Sequence, residues 1–295
     1  GKVQDWDANK FVKGEVDTYR IGEDTITKEN LKKYLEQSKF SIASNGVLYR
    51  TDKVGCIPGI LNLWFDKRVE YKNEMKKYGK AGNKEKYAFF HKRQLVQKIL
   101  LNSLYGVLGL PAFRFYDVDN ATAVTTTGQT VIKSTADMAN IKYNKELNTP
   151  DADSNIYIDT DSVYVKFEEL IKKCEGWEGD EKEFNIYIDT DSVFFSAVPL
   201  MDKRLPNWKD EDQDTIAGYV NDIAEEMQDY LNDFYDILSK KIFNVDKDKH
   251  RLEIKKEYVS KAGIWIAKKR YAQWIISDNG VPCDKLDVKG LDVVR

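Results

Sequence analysis

The 295 residues, 42% hydrophobic and 32% charged, are enough to bury a substantial core in one large or two ordinary domains. No apolar run approaches the roughly 18 residues of a membrane span and no signal-peptide pattern opens the chain, while three scattered cysteines, Cys56, Cys174 and Cys283, and two histidines, His91 and His250, exclude a disulfide framework, a zinc site and a serine-histidine triad. The net charge of −3 excludes a wholly basic nucleic-acid binder, so the first expectation is an intracellular protein of a reducing compartment with no membrane partner.

The first forty residues alternate polar strand-like and helical pieces, with a helix expected from Thr27 to about Gln37. Ser44-Asn45-Gly46 reads as a turn before a short strand, Val47-Leu48-Tyr49, and Pro58-Gly59 as punctuation before a long helix from about Ile60 to Tyr78. A polar connection at 80–84 leads into a second helix, from Glu85 to Leu104, ended by Gly106 and Gly109. Two helices joined by so short a link form an antiparallel αα-hairpin. Ala121 to Tyr143 is a further helix, and the spacing of Ile216, Val220, Ile223, Met227, Tyr230, Leu231, Phe234 and Leu238 makes 214–243 helical and amphipathic. Strand character returns at Leu252–Ile254, Tyr258-Val259, Gly263–Ile266 and Tyr271–Ile276, followed by a hairpin turn at Asp278-Asn279-Gly280. The fold class is α+β: an antiparallel sheet that carries acids, with a protruding helical pair.

Charge is segregated along this frame. Residues 65–98 and 240–270 each hold eleven Lys/Arg against four acids, and 175–236 hold eighteen acids against four bases. Such blocks point to a polyanion bound at particular faces, although each alone is also what a solvated helix face looks like.

One nine-residue string, Asn-Ile-Tyr-Ile-Asp-Thr-Asp-Ser-Val, occurs at 155–163 and again at 185–193. It describes a β-hairpin with acids at its tip, and period-two geometry sends Asp159 and Asp161 to one side, as it does Asp189 and Asp191. Paired carboxylates repel unless a hard cation lies between them, and Mg²⁺ takes oxygen ligands of this kind together with substrate phosphates. Asp-Thr-Asp is equally good turn chemistry.

On the helical pair, Arg68 and Lys72 share a face, as do Lys98 and Asn102, with Tyr105 a turn further. Three cations converging on one point suit a triphosphate, and Tyr105 offers a flat surface under a base or sugar. The string Lys98-Ile-Leu-Leu-Asn102-Ser-Leu-Tyr105-Gly106 resembles the fingers motif Lys-x3-Asn-Ser-x-Tyr-Gly of family B DNA polymerases. Arg68-Val-Glu-Tyr-Lys72 is similar to the family's other fingers helix, and Ser44-Asn45-Gly46 to the segment before it. Ile-Asp-Thr-Asp-Ser resembles the palm metal motif, with Ile158 and Ile188 at its usual glycine. Lys268-Lys269-Arg270-Tyr271 resembles the element beside the primer strand, and Lys289-Gly290-Leu291-Asp292 the family's next segment after that element. The motifs come in family order over essentially the whole chain, with phage-type members nearest in flavour.

The resemblance implies template-directed nucleotidyl transfer from a dNTP to a primer 3′-hydroxyl, with two Mg²⁺ ions. Asp159, Asp161, Asp189 and Asp191 are then metal ligands, of which only one pair acts. Arg68, Lys72 and Lys98 hold phosphates, Asn102 and Tyr105 line the nucleotide pocket, and Lys268, Lys269, Arg270 and Tyr271 grip primer-template DNA; Glu257 is a further candidate near the metals. It also implies a division into an N-terminal part of the palm (1–59), fingers (60–106), palm (107–276) and the start of the palm-to-thumb connection (277–295), and the host cytoplasm as the setting of a viral enzyme.

Two departures qualify that picture. The family's other metal motif, an Asp followed by Ser-Leu-Tyr-Pro-Ser, is not found, nor are the proofreading exonuclease acids, so the chain is expected to polymerise little alone unless a second polypeptide supplies that Asp, the exonuclease and the thumb. The acid hairpin is also doubled. Lys98 lies 63 residues before Asp161, a family-like distance, and 93 before Asp191; Asp191 lies 78 residues before Lys269, again family-like, and Asp161 lies 108 before it. The first copy fits the segment on its N-terminal side and the second the segment on its C-terminal side, so both stand as candidates. A non-catalytic fragment that binds DNA or a partner, and a metal-dependent nuclease, are the competing readings.

Overall fold

The computed structural model describes residues 1–149, 157–159, 162–166, 185–186, 196–267 and 270–290. The architecture is α+β, and every strand pairing among the described residues is antiparallel. The chain divides into two compact units, one of residues 1–127 with 242–245, the other of 128–241 with 246–295. No helix among the described residues is long and apolar enough to cross a membrane.

The first unit begins with β1 (Val3–Gln4), α1 (Ala8–Lys13), β2 (Thr18–Ile21) and β3 (Asp24–Thr27), the strands forming one sheet in the order β1-β2-β3. Trp6, Phe11 and Tyr19 pack with ring centroids 4.7 to 6.1 Å apart. Thr27 caps α2 (Lys28–Gln37) by accepting from the Asn30 amide, which satisfies one of the donors a helix start leaves unpaired. Leu31 and Leu35, four residues apart, are its buried face. β4 (Phe40–Ile42) and β5 (Leu48–Arg50) form a hairpin around the Ser44-Asn45-Gly46 turn. Gly46 has φ +84°, and a Cβ there would stand 2.2 Å from the Val3 carbonyl oxygen, so only glycine fits. Ser44 N–H donates to Thr127 and the Asn45 amide to the Asp119 carbonyl, tying the turn to the helix α5 (Val118–Leu147).

Between β5 and α5 stand α3 (Cys56–Lys80) and α4 (Lys84–Leu108), an antiparallel pair. Both run longer than expected. α3 starts before Pro58 and Gly59, because a proline in the first turn lacks only an N–H that would be unpaired anyway. α4 continues through Gly106 to a cap at Gly109; one interior glycine costs only about 1 kcal/mol, and Leu104, Val107 and Leu108 extend the buried side of the helix past it.

In the second unit, β6 (Tyr157–Asp159), β7 (Ser162–Lys166) and β8 (Asn185–Ile186) form a sheet in that order. α6 (Val198–Arg204) and α7 (Gln213–Phe243) follow. Ile223, Met227 and Leu231 recur every four residues along α7 and pack with Ala139, Tyr143, Leu200 and Met201. The expected strand at Leu252–Ile254 is not one: Asn232 accepts from the Ile254 amide and donates to its carbonyl, Gln228 accepts from Lys256 N–H, and His250, between Asp236 and the Leu252 amide, completes the row. Side chains, mostly from α7, take the hydrogen bonds a neighbouring strand would have used.

The tail forms β9 (Tyr258–Ala267), β10 (Arg270–Asp278) and β11 (Val281–Lys289), with β10 central. β9 joins the two short stretches expected there, and Asn279-Gly280 makes the turn with φ of 50° and 78°, as a two-residue hairpin requires.

Arg204 ties α5, α6 and α7 together: its guanidinium bonds both Glu146 oxygens and, at 2.8 Å, Glu226, which Lys142 also reaches at 2.8 Å. Hydrogen bonds from Arg204 and then Lys142 hold the Glu226 carboxyl down at about 2. A carboxylate with a depressed folded pKa stabilises the fold fully above its unfolded value, and that contribution is lost as pH falls through the folded one. The urea midpoint is therefore expected to fall between about pH 4.5 and 2, and Glu226→Gln to flatten part of that fall; an identical pH profile for the variant would refute the assignment.

Candidate functional site

The αα pair, in the first unit, carries the basic candidates. Tyr71 and Tyr78 of α3 meet Phe90 of α4 at 6.2 and 5.6 Å, Arg93 lies 5.9 Å over Tyr71, and a Cβ on Gly79 would touch Tyr87. These contacts fix an antiparallel register which, continued toward the base of the pair, sets Arg68 opposite Gln97. Arg68 and Lys72 are half-buried, on the side of α3 that meets α4. Lys98, Asn102 and Tyr105 form an exposed stripe beside the same seam, at i, i+4 and i+7.

Two buried atoms on this seam have no hydrogen-bond partner: Arg68 Nε, a donor, and Gln97 Oε1, an acceptor. Buried polar groups are nearly always satisfied, and an orphan costs about 1 to 3 kcal/mol. Trp6 Nε1, Asn221 Oδ1 and Ser239 Oγ are likewise unpartnered among the described residues; what sets Arg68 apart is its place beside the Lys98–Gly106 motif. Gln97 escaped the reading of the sequence, which offered no signal for it beyond its place next to Lys98.

The acids lie in the second unit. In the first copy of the repeated string Tyr157 pairs with Tyr164, Ile158 with Val163 and Asp159 with Ser162, antiparallel, so that Asp159 is the last residue of β6; the expected tip at 160–161 lies outside the described residues. Asp161, Asp189 and Asp191 lie outside the described residues, as do Lys268 and Lys269. The second copy contributes Asn185 and Ile186, which pair as β8 with Lys166 and Val165. Among the described residues no group of three or more His, Cys, Asp or Glu is placed to hold a metal ion. The donor chemistry of the string suits Mg²⁺ all the same, since carboxylate oxygens are the hard ligands this ion takes.

Of the element expected beside the primer, Arg270 points out on β10 and donates to the Gly290 carbonyl at 3.2 Å. Tyr271, the next residue, is buried on the opposite face. Its hydroxyl bonds Lys289, which raises that ammonium's pKa, so Tyr271 meets the third strand with its polar end. Glu257 is exposed just before β9, its carbonyl accepting from Asn279 N–H.

The family model described as DNA polymerase family B matches residues 20–177, more than half of the chain. The chain belongs to that family. It is 50% identical over 80 residues to the DNA-directed DNA polymerase of Enterobacteria phage T4, a stretch covering 27% of this chain and 9% of that enzyme, and 42% identical over 80 residues, with the same coverage, to that of Escherichia phage RB69. DNA polymerase 2 of Aeropyrum pernix is 30% identical over 148 residues, 50% of this chain and 17% of the relative. The chain thus spans a small part of the length of the polymerases it matches. The family match includes the first Asp-Thr-Asp-Ser copy and ends before the second.

Proposed function

We propose that this chain is the fingers and palm portion of a DNA-directed DNA polymerase of viral type, acting in nucleotidyl transfer from a dNTP to a primer 3′-hydroxyl. The observation that carries the reading is the orphaned Arg68 Nε on the helix seam beside the Lys98–Gly106 motif. A phosphate oxygen is the acceptor it lacks, and a guanidinium binds phosphate in a bidentate fork where Lys72 and Lys98 act as point charges. In this reading α3 and α4 are the fingers and the β6–β7 hairpin belongs to the palm. Asn102 and Tyr105 border the base and sugar, and Arg270, with Lys268 and Lys269, neutralises primer phosphates.

Of the two acid pairs, Asp159 with Asp161 is the one we assign to Mg²⁺. The β6–β7 pairing supports this, as does a family match that runs unbroken from the fingers motif through this copy. When bound, Mg²⁺ neutralises charge on the phosphates and the attacking oxygen; the protein's part is to hold its carboxylates ionised and its cations on the β- and γ-phosphates. Because the motif Asp-x-x-Ser-Leu-Tyr-Pro-Ser is not found in these 295 residues, this polypeptide alone is proposed to extend primers little.

The test compares Asp161→Asn with Asp191→Asn in Mg²⁺-dependent dNTP binding by the whole chain, with primer extension alongside. Asp161→Asn is expected to abolish the Mg²⁺-dependent part and Asp191→Asn to leave it. The reverse pattern would reassign the site to the second copy, and robust extension by the unaided chain at catalytic concentrations would defeat the view that an acid is missing. Nucleotide binding indifferent to Mg²⁺ and to both substitutions would favour a polymerase-derived fragment without chemistry.

A further inference from the structure

The far end of the helical pair carries more positive charge than its local contacts use: Lys77 pairs with Glu74 and Lys86 lies over the Tyr78 ring, while Lys76, Lys80 and Lys84 are exposed. Residues 76–86 hold Lys76, Lys77, Lys80, Lys84 and Lys86 against one acid, Glu85. In the last turn of α3, Lys77 and Lys80 complement the helix dipole. Lys84 and Lys86 open α4, where the dipole favours anions and disfavours cations, and where Asn83 already caps the helix by accepting from the Lys86 amide. Lys76, Lys77 and Lys80 line a surface recess with Asn73 and Ala81. From the tip, Lys86, Phe89 and Arg93 follow one another on one face of α4 at i, i+3 and i+7. Phe89 is 50% exposed, with the Arg93 guanidinium 4.6 Å from its ring centre.

Cations interleaved with an exposed ring fit a single-stranded nucleic acid, whose phosphates lysine neutralises and whose unpaired bases stack on aromatic faces. An acidic peptide needs the lysines but not the ring, and a duplex keeps its base faces covered. We propose that the tip of the α3–α4 pair is a contact for single-stranded nucleic acid, distinct from the nucleotide residues. Lys86 stands twelve residues before Lys98, about 18 Å along the helix.

The test is anisotropy of a labelled oligo-dT with the 295-residue chain across a salt series, folding being checked by circular dichroism. Lys80→Gln with Lys84→Gln is expected to weaken binding about tenfold and to reduce the log–log salt slope by roughly 1.4, two single-strand phosphate contacts at ~0.7 each. Phe89→Ala is expected to weaken oligo-dT binding several-fold without changing affinity for a blunt duplex. Lys98→Ala, tested for dNTP binding in parallel, is expected to leave oligo-dT affinity unchanged, so this contact and the nucleotide assignment stand or fall separately. Unchanged oligo-dT affinity in the double variant overturns the proposal. So does an equal loss on duplex from Phe89→Ala, or displacement of oligo-dT by polyglutamate at equal charge concentration, which would mark the tip as a site for an acidic protein.

Discussion

Arg68→Met is expected to weaken binding of a Mg²⁺–dNTP complex by roughly tenfold to a hundredfold, the worth of a charge-assisted hydrogen bond at about 1.5 to 3 kcal/mol, while leaving the folded chain as stable as before or slightly more so. The combination is unusual. Losing a packed side chain normally costs stability, but half-buried Arg68 holds a buried donor without an acceptor on the α3–α4 seam, and methionine fills similar space with no donor to leave unpaired. A side chain kept at a cost to the fold and repaid on ligand binding is the signature of a functional position. Lys98→Ala should weaken triphosphate binding over the same range for a different reason, since Lys98 is exposed and its loss removes a point charge without relieving strain. Arg68→Lys should not rescue, because an ammonium cannot reproduce the fork. Titration calorimetry with dNTP and with the nucleoside monophosphate, set beside urea melts, checks all three. Equal losses for triphosphate and monophosphate would remove these residues from the phosphates, and a large drop in stability for Arg68→Met would make it a packing residue.

Much of the frame was legible because periodicity reports burial. The stripe at Ile223, Met227 and Leu231 announced α7, Asn279-Gly280 announced the β10–β11 turn, and the αα pair followed from two helical runs with a short polar link. What misled were residues read singly. Pro58, Gly59 and Gly106 look like stops, and all three lie inside helices, since a helix end is set by hydrogen bonds and packing across several residues. Leu252–Ile254 has strand composition, but the Ile254 backbone is bonded to Asn232, a residue twenty-two positions back that no local pattern could nominate. β11 was missed because Asp284, Lys285 and Asp287 dilute its alternation. At the site, spacing placed Lys98, Asn102 and Tyr105 on one stripe correctly. That Arg270 and Tyr271 face opposite ways follows from strand alternation once Arg270 is part of β10, whereas no local pattern could nominate Gln97 as sharing the seam with Arg68.

Leu231→Ala is expected to destabilise the second unit by about 2 to 5 kcal/mol, the cost of removing a buried leucine whose surroundings collapse only partly. Leu231 is completely buried on α7, in a cluster with Tyr143 of α5 and with Leu200 and Met201 of α6. Those neighbours are held from outside by the Arg204 bonds to Glu146 and Glu226, so the helices cannot easily close the gap. Ile237, on the same helix but 52% exposed, is the internal control, and Ile237→Ala should cost no more than about 0.5 kcal/mol. The consequence reaches past stability, because the chain that leads into β9 hangs on α7 through Asn232 and Gln228, and Glu257 closes that stretch. Hydrogen exchange should therefore show the Ile254 and Lys256 amides losing protection in Leu231→Ala. The α3–α4 amides, which belong to the first unit, should keep theirs. Urea melts read by tryptophan fluorescence give the stability. A loss below 1 kcal/mol, or unchanged protection at Ile254, would mean that the α7 stripe does not carry the packing described.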